Sequence, residues 1–429
     1  MITTAFVNIW NQRVGAVAWE SDTGIATFEY DKTFLKGNLD LSPIKMSITE
    51  GRERFSFPEL RGTATFKGLP GLLADVLPDK YGNALINAWL SRQGRPSNSL
   101  NPVEMLSFIG TRGMGALEFD PVIPKSSHAA SKIEISSLID VADGILSGKK
   151  NFKANLSKKE EKAVLDILKI GTSAGGARAK AVIAYNPNTK EVRSGQADAP
   201  KGFSHWLIKF DGVTDSQFGA TSGYGRVEMA YHLMALDAGI EMTECQLLEE
   251  HGRAHFMTKR FDRADGNTKY HVQTFCAMQH YDYNEVDAYS YEQLFETMRV
   301  LGLPYPQAEQ MYRRMVFNVM SRNCDDHTKN FAFIMDESGK WKLSPAYDVC
   351  HAYRPGSAWV SQHALSMNGR KTEISRNDLL EVARRMNVKK AEHIIQQTAD
   401  VVSRWKQYSG KVGVEKKLSG AIQKTLIVL

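Results

Sequence analysis

With 429 residues, 42% of them apolar and 24% charged, the chain has the composition of a globular protein rather than a disordered or fibrous one, and is long enough for two or three hydrophobic cores. Fifty-four basic residues against 48 acidic ones leave a formal charge of +6, too mild to require a nucleic acid and equally suited to a small polyanion. Four cysteines lie far apart with no C-x-x-C pair, which suits a reducing cytosol better than a disulfide framework or a zinc site. No apolar run is long enough to span a membrane, and the N-terminus reads as a strand rather than a signal segment.

Residues 1 to about 66 predict a β-rich start. Residues 5–10 and 15–19 read as strands around a turn at Asn11-Gln12-Arg13, and residues 24–30 as a third strand. Pro70-Gly71 opens a helical stretch carrying Leu72, Leu73, Val76 and Leu77. A break at Pro78-Asp79 precedes a second helix through Ala84 to Leu90. Residues 108–119 are glycine-rich and strand-like, which completes an α+β module over residues 1–120. Residues 121–136 read as a linker. The lysines at 149, 150, 153, 158, 159 and 162 read as a solvated helix face, so residues 121–160 are expected to connect. From about 165 to 350 strands and helices alternate, and beyond about 356 the pattern is mostly helical. Ser375 and Asp378 have the spacing of a capping box, ahead of Leu379, Val382, Ala383 and Met386 on one helical face.

The chemistry-bearing segments come in a definite order. Gly171-Thr172-Ser173-Ala174-Gly175-Gly176-Ala177-Arg178-Ala179-Lys180 follows an expected helix at 161–170 and precedes a strand. Its small residues let backbone N–H groups approach phosphates, although a plain glycine turn has the same composition. In His205-Trp206-Leu207-Ile208-Lys209-Phe210 a lysine sits inside an apolar run. It is either a snorkelling edge residue or a phosphate ligand oriented by Glu228 on the expected helix 225–237. Residues 255–263 run from a strand into a charged turn, where a hinge between lobes would offer its backbone to an adenine edge. Ala308, Met311, Tyr312, Met315 and Val319 line one face of a core helix leading into Asn323.

That helix delivers Asp325-Asp326-His327-Thr328-Lys329-Asn330. An apolar strand (331–335), a turn at Asp336-Glu337-Ser338-Gly339 and a returning strand follow, and then Pro345-Ala346-Tyr347-Asp348. Phosphoryl transfer from ATP needs one carboxylate to orient the attacking hydroxyl, and an amide and a second carboxylate to hold Mg2+ on the phosphates. Asp325, Asn330 and Asp348 supply all three from one strand–turn–strand unit. Any one of these segments alone has a bland reading. Glycine loop, Lys, Glu, hinge, Asp-x-x-x-x-Asn and Asp together follow the order of a kinase.

These segments resemble the HipA family, the kinase toxins of bacterial toxin–antitoxin pairs. The likeness rests on residues 173–180, Leu207-Ile208-Lys209-Phe210, Lys259-Arg260-Phe261-Asp262-Arg263, and residues 325–330 with 344–348. The β-rich start and Leu77-Pro78-Asp79 extend it over nearly the whole chain. By that resemblance Asp325 is the catalytic base, and Asn330 and Asp348 are the Mg2+ ligands. His327 and Lys329 lie at the phosphates, Lys209 binds ATP, and Lys259, Arg260 and Phe261 form the adenine-side hinge. Gly175, Gly176, Ala177, Arg178, Ala179 and Lys180 form the phosphate loop. Ser173 matches the family's autophosphorylation position, where an added charge near −2 expels the loop. Thr172 adjoins it, Arg178 and Ala179 depart from the loop of the best-known toxin, and Lys259 replaces an acidic hinge residue.

The fold so implied is α+β and protein-kinase-like, with two lobes. It comprises an α+β N-terminal module (1–120), a connecting segment (121–160), a nucleotide-binding N-lobe (161–262) and an all-helical catalytic C-lobe (263–429). The implied activity is ATP- and Mg2+-dependent phosphorylation of serine or threonine on a protein, for instance an aminoacyl-tRNA synthetase or another translation factor. A small HipB-like DNA-binding antitoxin is the implied partner, with DNA reached only through it, and the implied location is cytoplasmic. A degenerate kinase fold that only assembles with an antitoxin–DNA complex, and a small-molecule kinase, are the alternatives.

Overall fold

The structure is a computed structural model that describes residues 2–122, 133, 135–146, 171, 178–195, 198–215, 219–220, 222–264 and 267–429. The expected helix at 161–170, the lysines from 149 to 162 and most of the 121–136 linker lie outside the described residues. By internal contacts the chain forms two units. One comprises Met1–Leu41, Met46–Ser222 and Gln246–Val272; the other comprises Ser42–Lys45, Gly223–Cys245 and Gln273–Leu429.

The first unit holds two five-stranded antiparallel sheets. In the N-terminal sheet, β1 (Thr4–Ile9), β2 (Gln12–Glu20), β3 (Ile25–Tyr30), β4 (Arg54–Phe55) and β5 (Leu117–Asp120) lie in the order β4-β3-β2-β1-β5. The expected turn at 11–13 is tighter than the sequence implied. Ile9 pairs with Gln12, and Trp10 and Asn11 alone make the loop at φ 45° and 61°. Positive φ at both central residues is the twist-matched two-residue hairpin turn. Gly15 is needed for packing, because a Cβ there would run into the carbonyl oxygen of Glu29 on β3.

Between β4 and β5 run the short α1 (Gly71–Ala74), α2 (Lys80–Arg92) and α3 (Pro102–Ile109). Residues 108–119 are therefore not one strand. Asn101 caps α3 by accepting from Glu104 N at 2.8 Å, and Pro102 occupies the first turn, where no N–H is missed. The strand begins only at Leu117. Helix α4 (Ile135–Leu146) follows. The second sheet comprises β6 (Lys180–Tyr185), β7 (Val192–Ser194), β8 (Ser204–Lys209), β11 (Cys245–Glu250) and β12 (Arg253–Lys259), in the order β11-β12-β8-β6-β7. A two-stranded hairpin, β9 (Thr214–Asp215) and β10 (Gly219–Ala220), lies beyond β8.

The second unit begins with α5 (Tyr224–Asp237). This helix packs with the helical elements: Tyr231 meets Trp405 at a ring distance of 5.6 Å and donates to Ser321 O at 2.5 Å. Strand β13 (His271–Thr274), α6 (Phe275–Gln279), α7 (Tyr291–Val300) and α8 (Tyr305–Ser321) come next, then β14 (Ala332–Met335) and β15 (Trp341–Leu343). The chain closes with α9 (Arg376–Met386), α10 (Ala391–Ser403), α11 (Trp405–Lys411) and α12 (Lys416–Gln423). The residues after 262 are thus not all-helical, because β13, β14 and β15 form a three-stranded sheet. That hairpin is what the site requires.

Met311, Tyr312, Met315 and Val319 of α8 are fully buried, with Ala308 packed against the same core. At ~25 cal/mol per Å² of apolar area, each such large side chain contributes roughly 1.5–3 kcal/mol.

Candidate active site

The frame of the site is local. Helix α8 stops at Arg322, which adopts the left-handed conformation (φ 58°) and closes the helix by donating its N–H to the carbonyls of Asn318 and Val319. The chain then runs extended through Asp325, and a 3-10 turn, Thr328–Asn330, begins at His327, whose Nδ1 accepts from Lys329 N at 3.2 Å. In the β14–β15 hairpin Phe333 pairs with Leu343 and Met335 with Trp341. Asp336 closes the turn by accepting from Ser338 N at 2.9 Å. An antiparallel hairpin returns the chain to the end it left, so Asn330 and Asp348 lie at one end of it.

They line one recess of about 20 Å³ together with Arg314, Asn318, Asp326 and Tyr347, room for roughly one water. Asn330 Nδ2 donates to the Asp325 carbonyl at 2.6 Å, so the amide nitrogen is committed and its oxygen is the atom able to meet a cation. Asp348 is exposed and adopts φ 55°, a left-handed conformation that carries strain for a residue with a Cβ. Arg314, buried beneath, donates to Ser344 O at 2.6 Å and fixes the start of the segment carrying Asp348.

The side chain of Asp325 is 38% exposed, and His327 Nε2 lies 3.8 Å from its Oδ1. Lys329 Nζ sits 5.1 Å above the ring of Tyr283, which also meets His327 at 5.2 Å. Tyr347 donates to Lys329 O at 2.6 Å.

Asp326 has the opposite environment. It is buried, with Oδ1 accepting from Ala364 N at 2.8 Å, and Oδ2 accepting from Tyr291 OH at 2.8 Å and facing His363 Nδ1 at 2.9 Å. Burial alone would lower the pKa of His363. The adjacent Asp326 carboxylate outweighs it and raises the imidazole to about 10. Burial, then Asp326, push the Tyr291 phenol well above its ordinary range. Sequence reasoning missed Asp326, His363, Tyr291, Tyr283 and Arg314. Only the doubled Asp offered a local signal, since neighbouring residues of an extended segment face opposite ways.

The other expected groups fall in the first unit. Lys180 and Lys209 are direct cross-strand partners on β6 and β8, both buried and on one face of the sheet. Phe256, paired with Lys209 across β12, has its ring 5.9 Å from Lys209 Nζ. Ala179 O accepts from Phe210 N at 3.0 Å, and Arg178 is half-buried. Thr172, Ser173, Gly175, Gly176 and Ala177 lie outside the described residues. Glu228 is buried on α5, in the second unit and not in the unit of Lys209.

At the expected hinge the side chains form a buried ionic cluster. The Arg260 guanidinium is engaged within the protein. It donates to Asp262 at 2.7 and 2.8 Å, and Arg263 reaches the same carboxylate at 2.7 Å. Gly115 N donates to Asp262 as well, and both arginines donate to Gly113 O, tying this turn to the loop before β5. Burial pushes the Asp262 carboxyl up, but Arg260 and Arg263 outweigh it and hold the group well below the usual carboxylate range. Lys259 and Phe261 are half-buried.

An α+β protein with an Asp–Asn–Asp set on a strand–turn–strand frame is the class these features define. The profile of HipA N-terminal domains matches residues 5–120, and that of HipA-like C-terminal domains matches residues 172–405. The chain belongs to the HipA family. It is similar to Y4mE of Sinorhizobium fredii, a protein called a kinase by its name alone, with 22% identity over 374 residues that cover 81% of this chain and 77% of that one. Y4dM of the same organism, named likewise, is 29% identical over 160 residues, 34% of this chain and 36% of that one. A chain from the Shewanella oneidensis MR-1 toxin–antitoxin complex of HipA, HipB and operator DNA shares the fold. Its TM-score is 0.64 at 15% identity, over 98% of this chain and 94% of that one. Among the described residues no helix is long and apolar enough to cross a membrane.

Proposed function

We propose that the chain is a toxin-type protein serine/threonine kinase that uses Mg-ATP. The observation that carries the reading is the meeting of Asn330 and Asp348 at one recess, with the Asn330 amide nitrogen held by the Asp325 backbone. In this reading Asp325 accepts the proton of the acceptor hydroxyl, and its partial exposure leaves it reachable by a protein side chain. Asn330 and Asp348 offer two hard oxygen donors. That is the usual protein share for Mg2+, which takes its remaining ligands from phosphates and water. Bound Mg-ATP supplies the transferable phosphoryl group and the charge that neutralises it.

The Lys180–Lys209 pair supports a phosphate-binding face in the first unit. Lys329 is suited to phosphate oxygens by its charge, and His327 by its position beside Asp325. Lys259 and Phe261 serve the adenine side through their backbone. A sugar or other small acceptor would be served by the same three groups, but the family assignment favours a protein. By the same assignment Ser173 is the site of autophosphorylation, and the protein works in the cytoplasm with a HipB-like antitoxin that alone touches DNA. The S. oneidensis complex supports that partner.

The test is mass spectrometry of the purified chain with and without Mg-ATP, mapped by peptide. One phosphate at Ser173 is expected, and none in Asp325→Asn. A phosphate that persists in that variant contradicts the assignment of the base.

A further inference from the structure

We propose that Asp326 and His363 are positioning residues for Asp325, a buried anchor that fixes the phosphate-transfer base without touching substrate. This rests on the kinase reading above and adds two residues to it. The geometry is a chain of side-chain hydrogen bonds that grips the loop on both sides of Asp325. On one side Asn323 Nδ2 donates to Asn318 Oδ1 at 2.9 Å, and Asn318 Nδ2 donates to Tyr291 OH at 3.0 Å. On the other, Asp326 takes Tyr291 OH, His363 Nδ1 and Ala364 N. Cys324 N donates to Ala352 O at 3.0 Å, and the Asp325 carbonyl is held by Asn330. Three separate elements, α7, α8 and the 363–364 segment, therefore set the backbone around one half-exposed carboxylate.

A buried ion pair is poor evidence for stability, because its desolvation cost offsets much of its attraction and apolar replacement is often neutral. Its value here is geometric. The contacts of Asp326 with His363 and Ala364 keep it turned inward, and Asp325 beside it is half-exposed. A misplacement of about 1 Å at a reacting group costs on the order of 100-fold in rate. Loosening the anchor should therefore act on the transfer step and leave nucleotide affinity alone. Cys324, whose Sγ is 3.9 Å from His363 Nε2, belongs to the same buried cluster.

The experiment measures kcat and the KM for ATP of phosphate transfer in wild type, Asp325→Asn, His363→Leu and His363→Gln. His363→Leu is expected to lower kcat about 10- to 100-fold with KM within about twofold. His363→Gln, which keeps a side-chain donor but not the charge, should lower kcat by a few-fold only, less than the leucine variant. If the leucine variant does not fold, the glutamine variant decides, with kcat lowered and KM unchanged as the expected pattern. Unchanged kcat in the folded His363 variants overturns the proposal. So does a loss of kcat that merely follows the folded fraction. Absence of transfer in wild type would instead refute the kinase reading itself, and activity persisting in Asp325→Asn would refute the assignment of its base, so the failures are distinguishable.

Discussion

Asp325 and Asp326 are adjacent in sequence and opposite in environment: one is open to solvent, the other sealed against Tyr291 and His363. Sequence composition shows two acids in a turn. It does not show which faces inward, because that is decided by His363 and Ala364, which lie 37 and 38 residues away. The Asp–Asn–Asp spacing was legible because a hairpin fixes it locally. Two predictions belong at this scale. Asp325→Asn should reduce phosphate transfer by at least about 100-fold, the share of a general base. Its melting temperature should stay close to wild type, since the side chain is partly exposed. Activity and thermal unfolding measured on the same preparation check both.

The second prediction concerns His363, whose folded pKa of about 10 lies above its ordinary value. Stabilisation from such a group is fully present below about pH 6.5 and is lost as pH rises through the folded value. Unfolding free energies between pH 7 and 10 should therefore fall more steeply in wild type than in His363→Gln. Parallel profiles would contradict the ion pair.

At the scale of elements, α9 was the most legible. Ser375 accepts from Asp378 N at 3.3 Å, and Asp378 accepts from Ser375 N at 2.9 Å, a complete capping box ahead of the buried Leu379 and Val382. Ser375→Ala should cost about 1 kcal/mol, read by denaturant unfolding as a lower midpoint with an unchanged slope. Residues 108–119 were misread because glycine and alternating apolar residues look alike in a strand and at a helix end. The Asn101-Pro102 start of α3, which settles the matter, lies upstream of them.

The ion pair of Arg260 was not legible for a different reason. Its partners Asp262 and Gly113 gain meaning only when two distant loops of the first unit meet. Asp262→Ala should leave two buried arginines without their anion and cost about 3–5 kcal/mol. Stability close to wild type in that variant would refute the structural role assigned to the cluster.

For the molecule as a whole, the β-rich start, the alternating middle and the helical end were legible from periodicity. The division into units was not. Helix α5 lies between two strands of the first unit's sheet in sequence, yet packs with the second unit, because Tyr231 is complementary to Trp405 and Ser321. No local pattern encodes that choice.

Both units also bury neutral histidines. Burial lowers His255 and His271 to about 4 in the first unit, and His280 to about 3 and His351 to about 4 in the second. A histidine held neutral by the fold gains a proton more readily when unfolded, so stability is full above about pH 6.5 and is lost as pH falls toward 4. Chemical denaturation at pH 7, 6 and 5 should show a progressive drop, and a flat profile would contradict the burial.

Transfer of the γ-phosphate from labelled ATP in the presence of Mg2+, with wild type and Asp325→Asn compared side by side, tests the central claim most directly. Label incorporated by wild type and lost from the variant, with nucleotide still bound by both, is the predicted result. Equal incorporation by the two proteins would contradict it.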